Sequence, residues 1–104
     1  MTRKYRIYQL DVKNENVIRD HKVYESWDML NRTAGFNIHQ YIKVYEGTIE
    51  VGENTSDMMA LDELFEMFNI RHPQDYHAHS LSVSDVVELD GTKYYCDDIG
   101  WEKI

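Results

Sequence analysis

The sequence predicts an α+β fold, in which two short helices pack on a small antiparallel or mixed sheet of about four strands. Three observations support this class: two early segments with strand patterning, two segments with helical spacing and defined ends, and a C-terminal pair of strands joined by Asp90-Gly91. A chain of 104 residues is the size of one domain, so we expect residues 1–104 to fold as a single unit.

Two strands are predicted in the N-terminal half. Residues 4–12 alternate, with Tyr5 and Ile7 on one side, and apolar residues on the other side indicate that both faces of this strand are partly covered. Residues 41–51 are rich in β-branched and aromatic side chains, which favour a strand. Residues 13–22 are mostly polar and predict a connecting loop.

Two helices are also predicted. Ser26 can cap a short helix over residues 27–34, and Gly35 is suited to end it. The second helix has an apolar stripe at positions i, i+3, i+4 and i+7, formed by Leu61, Leu64, Phe65 and Phe68. Its outward positions hold three acids and no base: Asp62, Glu63 and Glu66. The helix must end before Pro73, which disfavours α geometry in the preceding residue.

The C-terminal third predicts a β-hairpin with strands over residues 83–90 and 92–97. Asp90-Gly91 supplies a two-residue type I′ turn, because both residues tolerate the positive φ that this turn requires. The chain then bends, and we expect Trp101 to pack where the hairpin ends.

The net charge of −8 is unevenly distributed, with +3 in residues 1–45 and −11 in residues 46–104. This asymmetry argues against direct nucleic-acid binding, since neutralising phosphates requires a basic surface. It favours a basic protein surface as the partner, for example that of a nucleic-acid-processing enzyme. We therefore predict a partner-binding surface made of helix and hairpin acids and anchored by one exposed tyrosine. Its residues are Asp62, Glu63, Glu66, Glu88, Asp90, Tyr95, Asp97 and Asp98.

Three groups of residues could carry chemistry, and each has a structural explanation. His77 and His79 could begin a metal site, but no third ligand is fixed, and we expect His79 to hydrogen bond within its loop. The alternating serines lack a nucleophile-elbow glycine pattern, so Ser84-Asp85 is expected to form a side-chain-to-backbone turn. Cys96 is followed by two acids, which disfavour a thiolate, and is expected to pack in the core. We predict no catalytic residues, no metal and no cofactor.

Cellular location can also be predicted. The single cysteine fits a reducing compartment. The longest apolar run, residues 58–61, is far shorter than a membrane helix, and the first residues show no signal-peptide h-region. We therefore expect a cytoplasmic protein that does not engage a membrane.

Residues 61–104, LDELFEMFNIRHPQDYHAHSLSVSDVVELDGTKYYCDDIGWEKI, resemble the YodL-like domain family of Gram-positive bacteria. The likeness rests on a helix ending in Phe-Asn, on His-Pro, on the SLSVSD block and on an aromatic residue after Ile-Gly, and the first strand is similar too. Ala78 departs from the pattern, because a glycine usually precedes the His-Ser pair. The resemblance implies no catalytic residues, since the family has no established activity. It implies that the domain occurs in phages, in conjugative elements and in large proteins found beside anti-restriction factors.

Two function hypotheses follow. The first is a non-enzymatic, acidic interaction module of phage or mobile-element type. In its sharpest form it inhibits a host restriction or CRISPR nuclease by occupying the basic nucleic-acid groove, as a DNA mimic. The alternative is a regulatory or scaffolding domain that acts through a sheet edge or an aromatic patch, with charge serving solubility. A weaker alternative is a small metal-dependent enzyme that uses His77 and His79. The partner and the oligomeric state stay open.

Overall fold

The computed structural model describes residues 1–20 and 22–104. In these residues the five strands are β1 (Thr2–Leu10), β2 (Tyr41–Glu50), β3 (Val86–Leu89), β4 (Thr92–Cys96) and β5 (Trp101–Lys103). The α-helices are α1 (Glu15–Arg19), α2 (Trp27–Arg32) and α3 (Asp57–Ile70), and a 3-10 turn spans Ile38–Gln40. The strands form one sheet in the order β2-β1-β3-β4-β5, and every neighbouring pair is antiparallel.

The α+β class is confirmed, with one strand and one helix more than predicted. β5 forms because Gly100, with a φ of 75°, reverses the chain so that Trp101 pairs with Cys96. Three residues are too few for a strand to show in the pattern. α1 lies within the segment predicted as a loop; Asn14 caps it, and Val17 is its one buried residue. A five-residue helix with a single buried position gives almost no periodic signal.

β1 lies inside the sheet between β2 and β3, and its alternating pattern is confirmed. Tyr5 and Ile7 are buried on the face that carries α3, which we call the helix face. Tyr8 packs on the other face, which we call the opposite face, beside Val86 of β3. The strand therefore has cover on both sides, as the sequence indicates.

The larger core lies on the helix face. Leu61, Leu64 and Phe68 of α3 are fully buried there. The Phe68 ring packs edge-on against Tyr76 at 4.8 Å and against Tyr5 at 5.8 Å. The apolar stripe predicted for this helix is confirmed at these three positions. None of the helices in the described residues is long and apolar enough to cross a membrane.

A smaller core lies on the opposite face, under α2 and the segment that follows it. Its members are Tyr8, Trp27, Leu30, Phe36, Tyr41, Val86, Tyr95 and Ile104. Ser26 caps α2 by accepting a hydrogen bond from the backbone N–H of Met29 at 3.3 Å. Gly35, with a φ of 79°, follows its end, so both predicted ends of this helix are confirmed within two residues.

The C-terminal hairpin has the predicted turn. Asp90 and Gly91 have φ values of 47° and 90°, which both fall in the left-handed region that a type I′ turn requires. β3 begins at Val86 and not at residue 83, because Ser84 has a φ of 84° and interrupts the extended chain. The predicted first strand of the hairpin was therefore too long at its start.

Candidate functional site

The outward side of α3 carries three carboxylates, Asp62, Glu63 and Glu66, which we call the acidic face. They are exposed because the helix buries positions 60, 61, 64 and 68 and turns these three away from the sheet. None of them forms an ion pair with any residue that the structure describes. Their negative charge is therefore presented to solvent without local neutralisation.

An aromatic pair borders the acidic face. The Phe65 ring of α3 lies 6.4 Å from the Trp101 indole of β5 at an interplanar angle of 83°. The indole Nε1 donates a hydrogen bond to Oδ1 of Asp62 at 3.1 Å. Phe65 is 38% exposed, because it points toward β5 at the sheet margin, so this member of the apolar stripe is not buried with the other three. Phe65 and Trp101 thus form an apolar surface beside unpaired carboxylates.

α3 is held to the sheet at its first turn. Asp57 accepts hydrogen bonds from the Tyr94 hydroxyl at 2.5 Å and from the Arg3 guanidinium at 2.9 Å. The Tyr94 hydrogen bond, followed by that of Arg3, lowers the pKa of Asp57. Near the other end, the Asn69 side chain donates to the carbonyl oxygen of Leu81 at 2.9 Å. These contacts fix where the acidic face lies.

Asp97 and Asp98 lie in the turn between β4 and β5. Oδ1 of Asp97 accepts from the backbone N–H of Trp27 at 3.0 Å and of Asp98 at 2.9 Å. Asp98 is exposed and accepts from the backbone N–H of Ile99 at 2.9 Å. Both carboxylates shape the turn, and Asp97 also fastens the start of α2 to it.

Two other predicted surface acids are paired with bases. Glu88 is buried on the opposite face, where it contacts Arg6 at 3.0 Å and Lys93 at 3.2 Å. Asp90 pairs with Arg3 and accepts from the backbone N–H of Lys4 at 3.0 Å. The Lys4 hydrogen bond, followed by that of Arg3, lowers the pKa of Asp90. These acids do not join the acidic face.

Tyr95 cannot serve as an exposed anchor. It does lie on the face opposite Tyr94, as its position in the strand predicts, but it is 0% exposed. Trp27 of α2 covers it at a ring distance of 5.0 Å, and its hydroxyl donates to the carbonyl oxygen of Glu25 at 2.6 Å. The prediction of an exposed Tyr95 was wrong because α2 packs on this face of the sheet.

A buried polar network lies where the SLSVSD block meets β1. Nε2 of Gln9 lies within 3.2 Å of the Tyr76 hydroxyl, of His79 Nδ1 and of Asp85 Oδ2. Asp85 is 2% exposed, and it accepts from the backbone N–H of Ser82 at 2.8 Å. Its burial raises the pKa of the carboxyl group to about 7. The network ties the loop before β3 to the centre of the sheet.

The sequence model of the YodL-like domain family matches residues 4–104. The chain belongs to the YodL-like domain family. No curated protein and no solved structure matches the chain significantly.

The SLSVSD block of this YodL-like domain forms the turn predicted for it. Asp85 N–H donates to the carbonyl oxygen of Ser82 at 3.0 Å, which closes the turn. The Ser84 hydroxyl accepts from the backbone N–H of Tyr24 at 3.0 Å. Ser82 Oγ is buried without a hydrogen-bond partner among the described residues. The side chains of Ser84 and Asp85 therefore bind backbone groups, as the turn prediction required.

The remaining candidates for chemistry are His77, His79 and Cys96. His79 Nδ1 lies 2.7 Å from the carbonyl oxygen of Ser80, within its loop as predicted, and His77 is exposed. Cys96 is buried in the YodL-like domain, and burial, followed by the charge of Asp85, raises the pKa of its thiol to about 12. Among the residues that the structure describes, no three His, Cys, Asp or Glu side chains are placed to hold a metal ion together.

Sequence reasoning missed two features of this domain. The first is the pairing of Phe65 with Trp101, which depends on β5 returning beside α3 and has no local signal. The second is Gln9, whose position did give a signal. It continues the series of Tyr5 and Ile7 on the helix face, and a polar residue at such a position indicates a buried hydrogen-bond network.

Proposed function

We propose that this YodL-like domain is a non-enzymatic interaction module that binds a basic protein surface. The proposal rests on one observation: three exposed carboxylates on α3 have no ion-pair partner among the described residues, beside the partly exposed Phe65–Trp101 pair. Aromatic residues that can be desolvated supply binding free energy, and surrounding charges supply orientation and specificity. The acidic face and the aromatic pair provide both.

Charge complementarity supports a basic partner. Bases of the sheet are already engaged in ion pairs with acids of β2 and β3, for example Arg6 with Glu46 and Glu88. On α3 three acids without such partners among the described residues lie close together on one helix face, so this face presents a local concentration of negative charge. A concentrated potential steers a partner of opposite sign and speeds its association.

The surroundings of the nucleophile candidates support binding over catalysis. A thiol with a raised pKa, such as that of Cys96, is a poor nucleophile at neutral pH. The Ser84 hydroxyl is engaged with the Tyr24 backbone, and Asp85 with that of Ser82. These groups stabilise the loop, which leaves surface recognition as the better supported role.

The sharper form of the proposal is that the domain inhibits a nucleic-acid-acting enzyme, such as a restriction or CRISPR nuclease. Asp62 and Glu66 lie one helical turn apart, with a rise of about 6 Å between them. Carboxylates at this spacing can occupy successive positions in a basic groove that otherwise binds phosphates. The association of YodL-like domains with phages and conjugative elements is in keeping with such a target.

A salt titration with matched charge reversals tests this function. The probe is a purified restriction or CRISPR nuclease with a basic groove, titrated with the full chain at 50 to 500 mM salt, about the range where surface charge becomes screened. Glu63→Lys with Glu66→Lys should weaken binding about tenfold at low salt, because both charges face the partner. Glu15→Lys with Glu53→Lys makes the same change in net charge on exposed residues outside α3 and should have little effect.

Three results would contradict the function. Affinity independent of salt would exclude charge as the driving interaction. Equal losses from the two double variants would mean that only net charge matters, and that α3 is not the contact surface. Cleavage of nucleic acid at full rate while the domain is bound would exclude inhibition through the groove and leave only the broader binding role.

A second candidate function is an adaptor that binds through the aromatic pair while charge serves solubility. The exposure of Phe65 beside Trp101 favours it. Under this alternative, Trp101→Ala abolishes binding, whereas the α3 charge reversals change it little. The two candidates are thus separated by the same binding assay.

A further inference from the structure

We infer that the surface formed by Trp101, Phe65 and the acidic face is a receptor site for an arginine side chain of the partner. The guanidinium group would lie over the Trp101 indole and pair with the carboxylates of Asp62 and Glu66. This inference rests on the proposed function, because it specifies which chemical group of a basic partner is recognised.

The indole is held in a defined orientation. Its Nε1 donates to Asp62 Oδ1 at 3.1 Å, and the Phe65 ring meets it edge-on at 6.4 Å. Cys96 pairs with Trp101 across β4 and β5, which fixes the backbone position as well. An aromatic ring held in this way can receive a flat cation without a large loss of side-chain entropy.

The carboxylates around the indole are available for pairing. Asp62 uses only Oδ1 to bind the indole, and Glu66 has no hydrogen-bond partner among the described residues. Glu66 follows Asp62 by four residues, so the two side chains are neighbours on the helix surface, with Phe65 next to them. A cation over the ring is therefore within reach of two carboxylates.

These two features together favour arginine over lysine. A guanidinium group is planar, so it stacks on an aromatic ring, and its fork of N–H donors can bind a carboxylate through two parallel hydrogen bonds. A lysine ammonium group is a compact, strongly hydrated charge that can do only one of these well. An electron-rich indole beside a carboxylate strengthens the contact with either cation.

The test compares two peptides that differ only in the cation. The probes are blocked peptides of four Gly-Arg repeats and of four Gly-Lys repeats, titrated into the full chain at 50 mM salt while the Trp101 indole N–H resonance is followed. Trp27→Phe serves as the background, so that a single indole signal remains. The arginine peptide should bind about two- to fivefold more tightly, which is the effect of an exposed cation–π contact. It should also shift the indole resonance.

Two variants locate the effect. Glu66→Gln should remove most of the preference for arginine, and Trp101→Phe should reduce it, because phenylalanine keeps a ring but is a weaker cation receptor. Trp101→Phe leaves no indole on this background, so the affinities of all variants are measured by isothermal titration calorimetry. Glu53→Gln is the matched control, on an exposed acid outside the site. Circular dichroism melting of each variant establishes that a lost preference is not lost folding.

The outcomes separate this inference from the proposed function. If both peptides bind equally and their binding weakens with salt, the arginine site is wrong and the acidic interaction module stands. If the arginine preference persists in Glu66→Gln and Trp101→Phe, the preference arises elsewhere and the inference is overturned. If neither peptide shifts the indole resonance although the nuclease binds through α3, the arginine site is again excluded.

Discussion

Carboxylates on the two sides of the sheet have different surroundings. On the opposite face a ladder of alternating charges crosses four strands, made of Lys93, Glu88, Arg6, Glu46 and Lys43, with contacts of 3.0 to 3.3 Å. On the helix side, the three acids of α3 have no basic neighbour of this kind among the described residues. The comparison shows that a net charge of −8 is a property of the whole chain, whereas a binding surface depends on which acids the fold leaves unpaired.

The largest expected effect comes from detaching α3. Phe68→Ala removes a fully buried ring that contacts Tyr5 and Tyr76 and should lower the free energy of unfolding by about 3–5 kcal/mol. Chemical denaturation measures this loss. Partner binding should fall with it, since the acidic face is carried by α3. Unchanged stability would mean that α3 does not depend on this core.

The surroundings of Asp85 differ from those of both groups of acids, because Asp85 is buried from water and forms no close ion pair among the described residues. Its carboxyl group faces Gln9, Tyr76, Cys96 and, at 3.9 Å, the ring of His79. The raised pKa means that the folded state binds a proton more tightly than the unfolded state. Asp85 should therefore lower stability as pH rises from about 4 to about 7, by about 3 kcal/mol.

The measurement that isolates this effect is the difference between the wild type and Asp85→Asn in denaturant unfolding at several pH values. The difference should change in favour of the asparagine variant as the pH rises through this range. Asp57 and Asp90, whose pKa values are lowered, act in the opposite direction at acidic pH, but they cancel in the comparison. A difference independent of pH would contradict the raised pKa of Asp85.

Breaking the charge ladder should have a smaller effect. Arg6→Met leaves Glu88, whose side chain is only 11% exposed, with Lys93 alone. We expect the midpoint of thermal unfolding to fall by a few degrees, because a largely buried carboxylate loses one of two cations. Glu102→Gln, an exposed acid without an ion pair among the described residues, is a control for the loss of one charged side chain.

The smallest expected effect on stability is at the acidic face itself. Glu63→Gln should hardly change the midpoint, and it should raise it slightly at low salt because three like charges lie close together on α3. The same variant should weaken binding to a basic partner. Scanning calorimetry at low and high salt checks the first part. A clear loss of stability would show that Glu63 has a structural role on α3.

The sequence predicted those features that depend on interactions between residues close together in the chain. The type I′ turn at Asp90-Gly91 and the exposure of Asp62 and Glu63 follow from local backbone preference and from helical spacing. The pairing of Glu88 with Arg6 could not be predicted in this way, because Arg6 is 82 positions away in the chain. Only the register of β1 against β3 brings them together.

The sequence predicted which face of a strand or helix a side chain lies on better than it predicted whether that side chain is buried. Alternation along β4 places Tyr95 on the face opposite Tyr94, yet whether that face is covered depends on where α2 packs. Phe65 has the spacing of a core residue, but it lies against Trp101 of β5 and stays 38% exposed. The three carboxylates of the acidic face were among the predicted residues. The Phe65–Trp101 pair beside them was not predicted, because it depends on the position of β5.

The two attachments of α3 bear on how the domain binds. Asp57 joins its first turn to Arg3 and Tyr94, and Asn69 joins its last turn to the carbonyl oxygen of Leu81. A helix fastened at both ends is already preorganised before any partner arrives, so docking loses little backbone entropy. Loosening either attachment, for instance with Asn69→Ala, should therefore slow productive encounters and shorten the lifetime of the complex without altering one atom of the contact surface.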